Sequence, residues 1–263
     1  MNPNALSLRR QWQAHLAAQV FACCVVSALL IWAYRWCEVS PRALAHGWPQ
    51  FAEFLGRLVP PNWSVTGIVI RSTLETLLMA FAGTVLSVVI SLPLGFMAAS
   101  NVSPAWLSHP VKWLLGFLRA IPLIVVAILF VVGVGLGPFP GVMAIAFHSI
   151  GMLGKFYAEE FETADPGIVH AVQGTGATWL QTIRFGLLPQ STPQLVAFTV
   201  YRLEMNFRDA AVLGYVGAGG IGYQIKIYQG SFQYDKVATL LIVIIAVVTV
   251  LDLLTYWVRK RVR

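Results

Sequence analysis

The chain has 263 residues, of which 57% are hydrophobic and only 11% charged, with a mean hydropathy of +0.71. Ordinary soluble domains carry about 25% charged residues, so this chain cannot cover a globule with polar groups, and its apolar surface must meet lipid. The formal net charge of +7 resides mainly at the ends of apolar runs, which points to membrane orientation rather than to nucleic acid.

Arg9 and Arg10 precede a first apolar run over 16–36. It is too long for a signal-peptide core, and Trp32, Tyr34 and Trp36 mark an interfacial belt, so it is read as a span. Cys23, Cys24 and Cys37 fit neither a disulfide framework nor a zinc pattern and are expected to be buried, inert thiols. In segment 37–66, Leu44, Trp48, Phe51, Phe54, Leu55 and Leu58 recur at helical spacing, and Glu53 and Arg57 form an i,i+4 pair. This predicts an external amphipathic helix lying on the membrane. A second span covers 67–98. A short inner loop, 100–110, precedes a third span over 113–134, interrupted by Pro122. The turn from Gly135 to Pro140 returns the chain into a fourth span over 141–161. A polar stretch follows. Then come a fifth apolar run over 192–216, a glycine-rich stretch over 214–222, a polar loop to Lys236, and a sixth span over 237–258.

The pattern therefore predicts an all-α polytopic membrane protein with six spans. Residues 1–66 form an N-terminal span plus external segment, and 67–263 form a five-span core with a cytoplasmic loop over 162–190. Six spans put both termini on one side, and the tail Arg259, Lys260, Arg261 and Arg263 places that side in the cytoplasm.

The cytoplasmic loop carries the most specific signal. Asp165, Pro166 and Gly167 start a helix, and Gly176 permits a turn after it. Val169, Val172, Trp179 and Ile183 place apolar groups in a loop expected to face water, which suggests docking into a partner. The spacing resembles the cytoplasmic loop of permease subunits of bacterial binding-protein-dependent ABC importers: Glu-Ala-Ala, three residues, Gly, nine residues, Ile, one residue, Leu-Pro. Ala171, Gly176, Leu188 and Pro189 match, while His170 stands for the acid, Val172 for the second alanine and Gly186 for the isoleucine.

Flanking residues are similar to the phosphonate/phosphite branch of these permeases. They include Leu92 to Gly95, Arg119 to Pro122, His148 to Lys155, Thr175 to Ala177, Tyr201 to Glu204 and Val216 to Gly222. The resemblance implies the type I ABC importer permease fold in the bacterial inner membrane. It implies a second permease copy as partner, two cytoplasmic ATP-binding subunits that seat the loop helix, and a periplasmic or surface substrate-binding protein. The cargo implied is phosphonate, phosphite or a related phosphorus oxyanion; a same-architecture permease for methionine and an ATP-independent carrier are the alternatives. The ATPase-coupling loop would comprise Asp165, Pro166, Gly167, His170, Ala171, Val172, Gly176, Trp179, Leu188 and Pro189.

Other motifs agree with a subunit that does not itself hydrolyse ATP. Gly154 and Lys155 are followed by Phe156, not by Ser or Thr, so no phosphate-binding loop is formed. ATP and Mg are therefore expected on a partner, with no cofactor, metal or catalytic residue on this chain. Gly217, Gly219, Gly220 and Gly222 mimic a dinucleotide fingerprint, but with spans on both sides they are read as a close-packed bend and a candidate gate.

Charge inside a span needs a reason. Glu204 with Arg208, and Arg202 with Asn206, are i,i+4 pairs in the fifth run, and Asp209 adds a further charge. They either anchor that helix or line a pathway for an anion. Charge reversal at Arg202 is expected to stop uptake without stopping assembly. Glu75, four residues after Arg71, is expected to pair with it. His148 is a lone polar group in the fourth span. Arg202, Glu204, Asn206, Arg208, Glu75 and His148 are the candidate pathway residues.

Overall fold

A computed structural model describes residues 3–38 and 40–262; the side chains at 3–11 (Arg9 and Arg10 among them), 13, 14, 17, 43, 44 (Leu44) and 262, and the whole of Arg263, lie outside the description. The regular structure of the described residues is helical throughout. The chain divides into two compact units after Arg57.

In the first unit, α1 spans Pro3–Trp36 and α2 spans Pro41–Arg57. The described side chains of α1 from Trp12 to Trp36 are exposed. Cys23, Cys24 and Cys37 are accordingly free and exposed, not buried as the apolar setting suggests. In α2, Trp48, Phe51 and Leu55 are exposed on the apolar face, and Arg57 donates to Glu53 at 2.7 Å as the spacing predicts.

The second unit is a helical bundle. The core helices are α3 (Thr66–Ala98), α4 (Ala105–Ala120), α5 (Leu123–Val134) and α6 (Pro138–Glu162). Next come the short helices α7 (Pro166–Gly174) and α8 (Trp179–Gln181), then α9 (Leu188–Leu213), α10 (Gly220–Gly230) and α11 (Tyr234–Val262). Ala18–Trp36, Trp63–Ala98, Pro138–Glu162 and Tyr234–Arg261 are long and apolar enough to cross a membrane.

The remaining two expected spans take other forms. The third is broken: α4 and α5 meet at 83°, because Ile121 before Pro122 is extended (φ −79°, ψ 123°) and so cannot continue the helix. Its first half starts at Ala105, inside the stretch expected to be loop. The fifth is α9, whose Arg202, Glu204, Arg208 and Asp209 keep it from being an apolar rod. Protein encloses Arg202 and Glu204, while Asp209 is partly buried and Arg208 stays half-exposed. The expected polar loop to Lys236 is also largely helical, because Ile221 and Tyr228 of α10 bury themselves with Val65, Val69, Val237 and Leu240.

Three apolar layers hold the bundle. The cluster just named lies at one end, together with Asn62, whose side chain donates to Asp235 Oδ2 at 2.8 Å and whose carbonyl accepts from Thr239 at 2.9 Å. Met79, Val126, Ile145, Phe207 and Leu213 fill the middle. Leu153, Tyr157, Phe161, Leu187 and Leu195 fill the other end. The main seam, between α3 and α6, is built from small residues: Ser72, Thr76, Ala80, Gly83, Thr84, Ser87, Ser91, Gly95 and Ala98 are all buried on α3. Lipid supplies little hydrophobic drive between helices, so close backbone approach must supply dispersion instead. A Cβ on Gly83 would stand 2.6 Å from Ile145 Cγ2, and one on Gly95 2.8 Å from Tyr157 Cβ.

Candidate functional site

The end of the bundle that carries α7 holds the residues of the expected coupling loop. Asp165 caps α7, its Oδ1 accepting from Gly167 N at 2.7 Å, with Pro166 in the first turn. Gly176 then takes φ +79° with open space around it, so the chain turns back where a side chain would be strained but would not clash. Thr178 and Gln181 form a capping box that starts α8. A π-helical turn, Thr182–Leu187, carries the chain into Leu188 and Pro189 of α9. No residue of α7 is fully buried. Ala171 and His170 are exposed, His170 bonding locally to Gln173 at 3.2 Å.

The apolar groups sort differently from the sequence expectation. Val169, Val172 and Ile183 are half-buried, because the missing side chain of Gly186 leaves a seat for Val169 and Val172 at 3.5–3.6 Å from an ideal Cβ there. The groups left for a partner are Ile168, Trp179, Leu180 and Phe185, all exposed. Glycine at the family's isoleucine position thus trades a side chain for tight seating of α7.

Polar ties make this end a stiff unit. Asp165 N donates to Gln190 Oε1 at 3.0 Å, linking α7 to α9. Glu162 Oε1 receives Ser100 N at 2.8 Å and Lys112 Nζ at 2.6 Å, linking α6 to the α3–α4 connection and α4. Asn101 donates to the Phe161 carbonyl at 2.7 Å, and Trp179 Nε1 to the Val102 carbonyl at 3.3 Å. Contacts thus join α7 to α9 at Gly186 and Gln190, and Glu162, at the end of α6, to the α3–α4 connection and α4.

Mid-bundle, the structure sorts the α9 charges into a buried network around Arg202 and Asp209 and a separate Glu204–Arg208 pair. Arg202 is 3% exposed; its Nε donates to Ser149 Oγ at 2.9 Å and its Nη2 to Asp209 Oδ2 at 3.3 Å. Asn206 is fully buried; Ser149 Oγ donates to its Oδ1 at 3.0 Å, and its Nδ2 donates to Thr84 Oγ1 at 2.8 Å. Arg202 and Asn206 do not bond each other as i,i+4 spacing alone suggests; Ser149 joins them. Glu204 is buried and paired with half-exposed Arg208, which also lies 3.9 Å from Asp252 of α11. His148 is half-buried, its Nδ1 enclosed without a hydrogen-bond partner.

At the opposite end, α9 passes through a π-helical turn, Gly214–Ala218, into a reversal where Gly217, Gly219 and Gly220 have φ of +105°, +80° and +69°. A Cβ on Gly214 would collide with the Gly219 carbonyl oxygen. On Gly222 it would overlap the Ala211 carbonyl oxygen. The bend is thus a backbone-on-backbone crossing. Glu75 does not pair with Arg71 as expected: its Oε1 accepts from Gly220 N at 3.1 Å, and Thr76 Oγ1 accepts from Ile221 N at 2.8 Å. Gly137 N donates to the Gly217 carbonyl at 3.0 Å. Arg71, Glu75 and the glycine bend line an open cavity of about 510 Å³.

Thr84 and Ser149, the two hydroxyls that join Asn206 and Arg202 to α3 and α6, are absent from the sequence-derived set. The signal for Thr84 is a stripe of small residues every three or four positions along the second span; Ser149 stands beside His148 in the fourth.

Residues 91–263 match the family model described as binding-protein-dependent transport system inner membrane component. A phosphite transport system permease protein of Stutzerimonas stutzeri is 42% identical over 82% of this chain and 79% of its own length. A phosphate-import permease protein of Mycolicibacterium smegmatis is 36% identical over 85% of this chain and 42% of its own length. Among solved structures, the MetNI methionine ABC transporter in inward-facing conformations has a chain similar in fold. Its TM-score is 0.69 at 24% identity, covering 77% of this chain and 99% of that one.

Proposed function

The chain belongs to the binding-protein-dependent transport system inner membrane component family, and from that membership we propose that it forms half of the translocation pathway of an ATP-driven importer for phosphite, phosphonate or a related phosphorus oxyanion. It is a multi-pass, non-catalytic transport subunit. Its family works with an ATPase and a substrate-binding protein. The finer reading is a homodimeric pore with both termini in the cytoplasm and ATP and Mg held by two partner ATPase subunits. A binding protein delivers cargo to the end that carries the glycine bend.

The observation that carries the coupling role is α7: a capped helix without a fully buried residue, flanked by exposed Trp179, Leu180 and Phe185 and tied to the bundle helices. When the ATPase dimer closes, α7 moves with it. Gly186 and Gln190 pass that motion to α9, and the buried Arg202–Ser149–Asn206–Thr84 network makes α9, α6 and α3 move as one body. Cargo selection rests on the 42% identity to a phosphite permease.

The test is growth and uptake with phosphite or methylphosphonate as sole phosphorus source, in cells that depend on this chain. Uptake that stops on ATP depletion with ion gradients intact supports the reading. Methionine uptake instead overturns the cargo, and uptake that survives ATP depletion overturns the energy source.

A further inference from the structure

On the α7 side of the bundle, α6, α9 and α11 enclose a cavity of about 270 Å³ between Phe156, Gln194, Phe198, Tyr201 and Arg259. Phe156 and Phe198 close its apolar side, with ring centroids 5.1 Å apart. The Arg259 guanidinium stacks over the Tyr201 ring at 4.9 Å. Its Nε is buried without a hydrogen-bond partner, and among the described residues Arg259 has no carboxylate within ion-pair distance. The neighbouring arginines are served differently: Arg202 holds Asp209 and Arg208 holds Glu204. A buried N–H without an acceptor is costly. A planar donor fork fixed by stacking on an aromatic face matches two oxygens of a phosphate.

The surroundings say where such a phosphate comes from. Arg259 shares the last turn of α11 with Lys260 and Arg261. Arg261 stacks on Trp257 at 4.9 Å, and Trp257 and Tyr256 are exposed, as aromatic residues are at a headgroup boundary. Arg119 lies over the Phe156 ring at 6.0 Å, a second cation against a residue that lines the cavity. Basic pockets between membrane helices on the cytoplasmic side suit anionic headgroups. We propose that this cavity is a phosphate-group site that holds the headgroup of an anionic phospholipid, with Arg259 as the phosphate ligand, Tyr201 as the platform that aligns it and Gln194 as a further polar group at the site. The transport reading names only the leaflet; the site itself stands without it.

The test uses the full chain, extracted in mild detergent from membranes containing phosphatidylglycerol, with the lipid retained after washing measured by mass spectrometry. Arg259→Gln should retain about five- to tenfold less phosphatidylglycerol and an unchanged amount of phosphatidylethanolamine. Lys260→Gln, in the same turn but exposed, should retain nearly the parent amount. Equal losses in the two variants would reduce the effect to a diffuse basic tail and overturn the site. Added inorganic phosphate should leave the retained lipid in place; displacement by millimolar phosphate that disappears in Arg259→Gln would give the pocket to a soluble oxyanion and overturn the lipid source. Should Arg259→Gln fail to fold, Arg259→Lys keeps the charge without the fork, and parent-level retention by it overturns the role of Arg259. None of these readouts depends on which cargo is transported.

Discussion

The two ends of the second unit both turn the chain on glycine, and they use it in opposite ways. Around Gly176 there is open space: the residue supplies only a left-handed φ, at the end of a helix that has no fully buried residue. Around Gly214 and Gly222 there is no space for a single carbon, because backbone crosses backbone. The turn at Gly176 needs conformation without packing, whereas the closed bend needs packing so tight that the conformation follows.

The sharpest way to break this contrast is at the tight end. Gly222→Ala drives a Cβ into a carbonyl oxygen that cannot rotate away, so destabilisation at or above the usual overpacking range, about 3 kcal/mol, is expected. The measurement is the fraction of folded protein in gel filtration; a parent-like profile would mean that the bend opens easily.

Next comes the network between the two ends. Arg202→Met leaves Asp209 and Ser149 short of a partner in the bundle, at a cost of about 3 kcal/mol. Arg202→Met with Asp209→Asn should melt several degrees higher than Arg202→Met alone. This bears on the sequence expectation that Arg202→Glu stops uptake and spares assembly. With Arg202 3% exposed and facing Asp209, charge reversal is expected to lower folded yield as well, and a fully assembled Arg202→Glu transporter would return Arg202 to the pathway.

At the open end the effects are smaller. Gly176→Ala should cost about 1–2 kcal/mol from φ alone. Gly176→Trp should leave the chain folded yet lower the amount of ATPase subunit that co-purifies; undiminished co-purification would remove the turn from the docking surface. The least is expected from Asp165→Ala, about 1 kcal/mol for a lost helix cap, read as faster amide exchange over α7 with the bundle unchanged.

The contrast also separates what is legible in a chain from what is not. The α7 turn is local: Asp165, Pro166 and Gly176 each act on their own backbone, so its helix and turn are written in consecutive residues. The half-burial of Val169 and Val172 is not local, because it depends on Gly186 arriving across the turn. Likewise Arg71 and Glu75 satisfy the spacing of an ion pair, yet Glu75 meets the backbone N–H of Gly220, 145 positions away. The kink at Pro122 was legible as an interruption, but its 83° angle was not.

What the sequence determined by itself is the solvent and the plan: apolar runs long enough to cross a bilayer, their order, and a capped loop helix between two of them. These follow from hydropathy and backbone propensity, which act over a few residues. What only the tertiary structure decided is the partnering of the groups that cannot remain alone in a membrane. Arg202 found Ser149 and Asp209, Asn206 found Thr84, and Glu75 found Gly220, while Arg259 was left facing a cavity. A buried polar group is satisfied by whichever partner folding brings within hydrogen-bond reach, and that proximity belongs to the packed bundle.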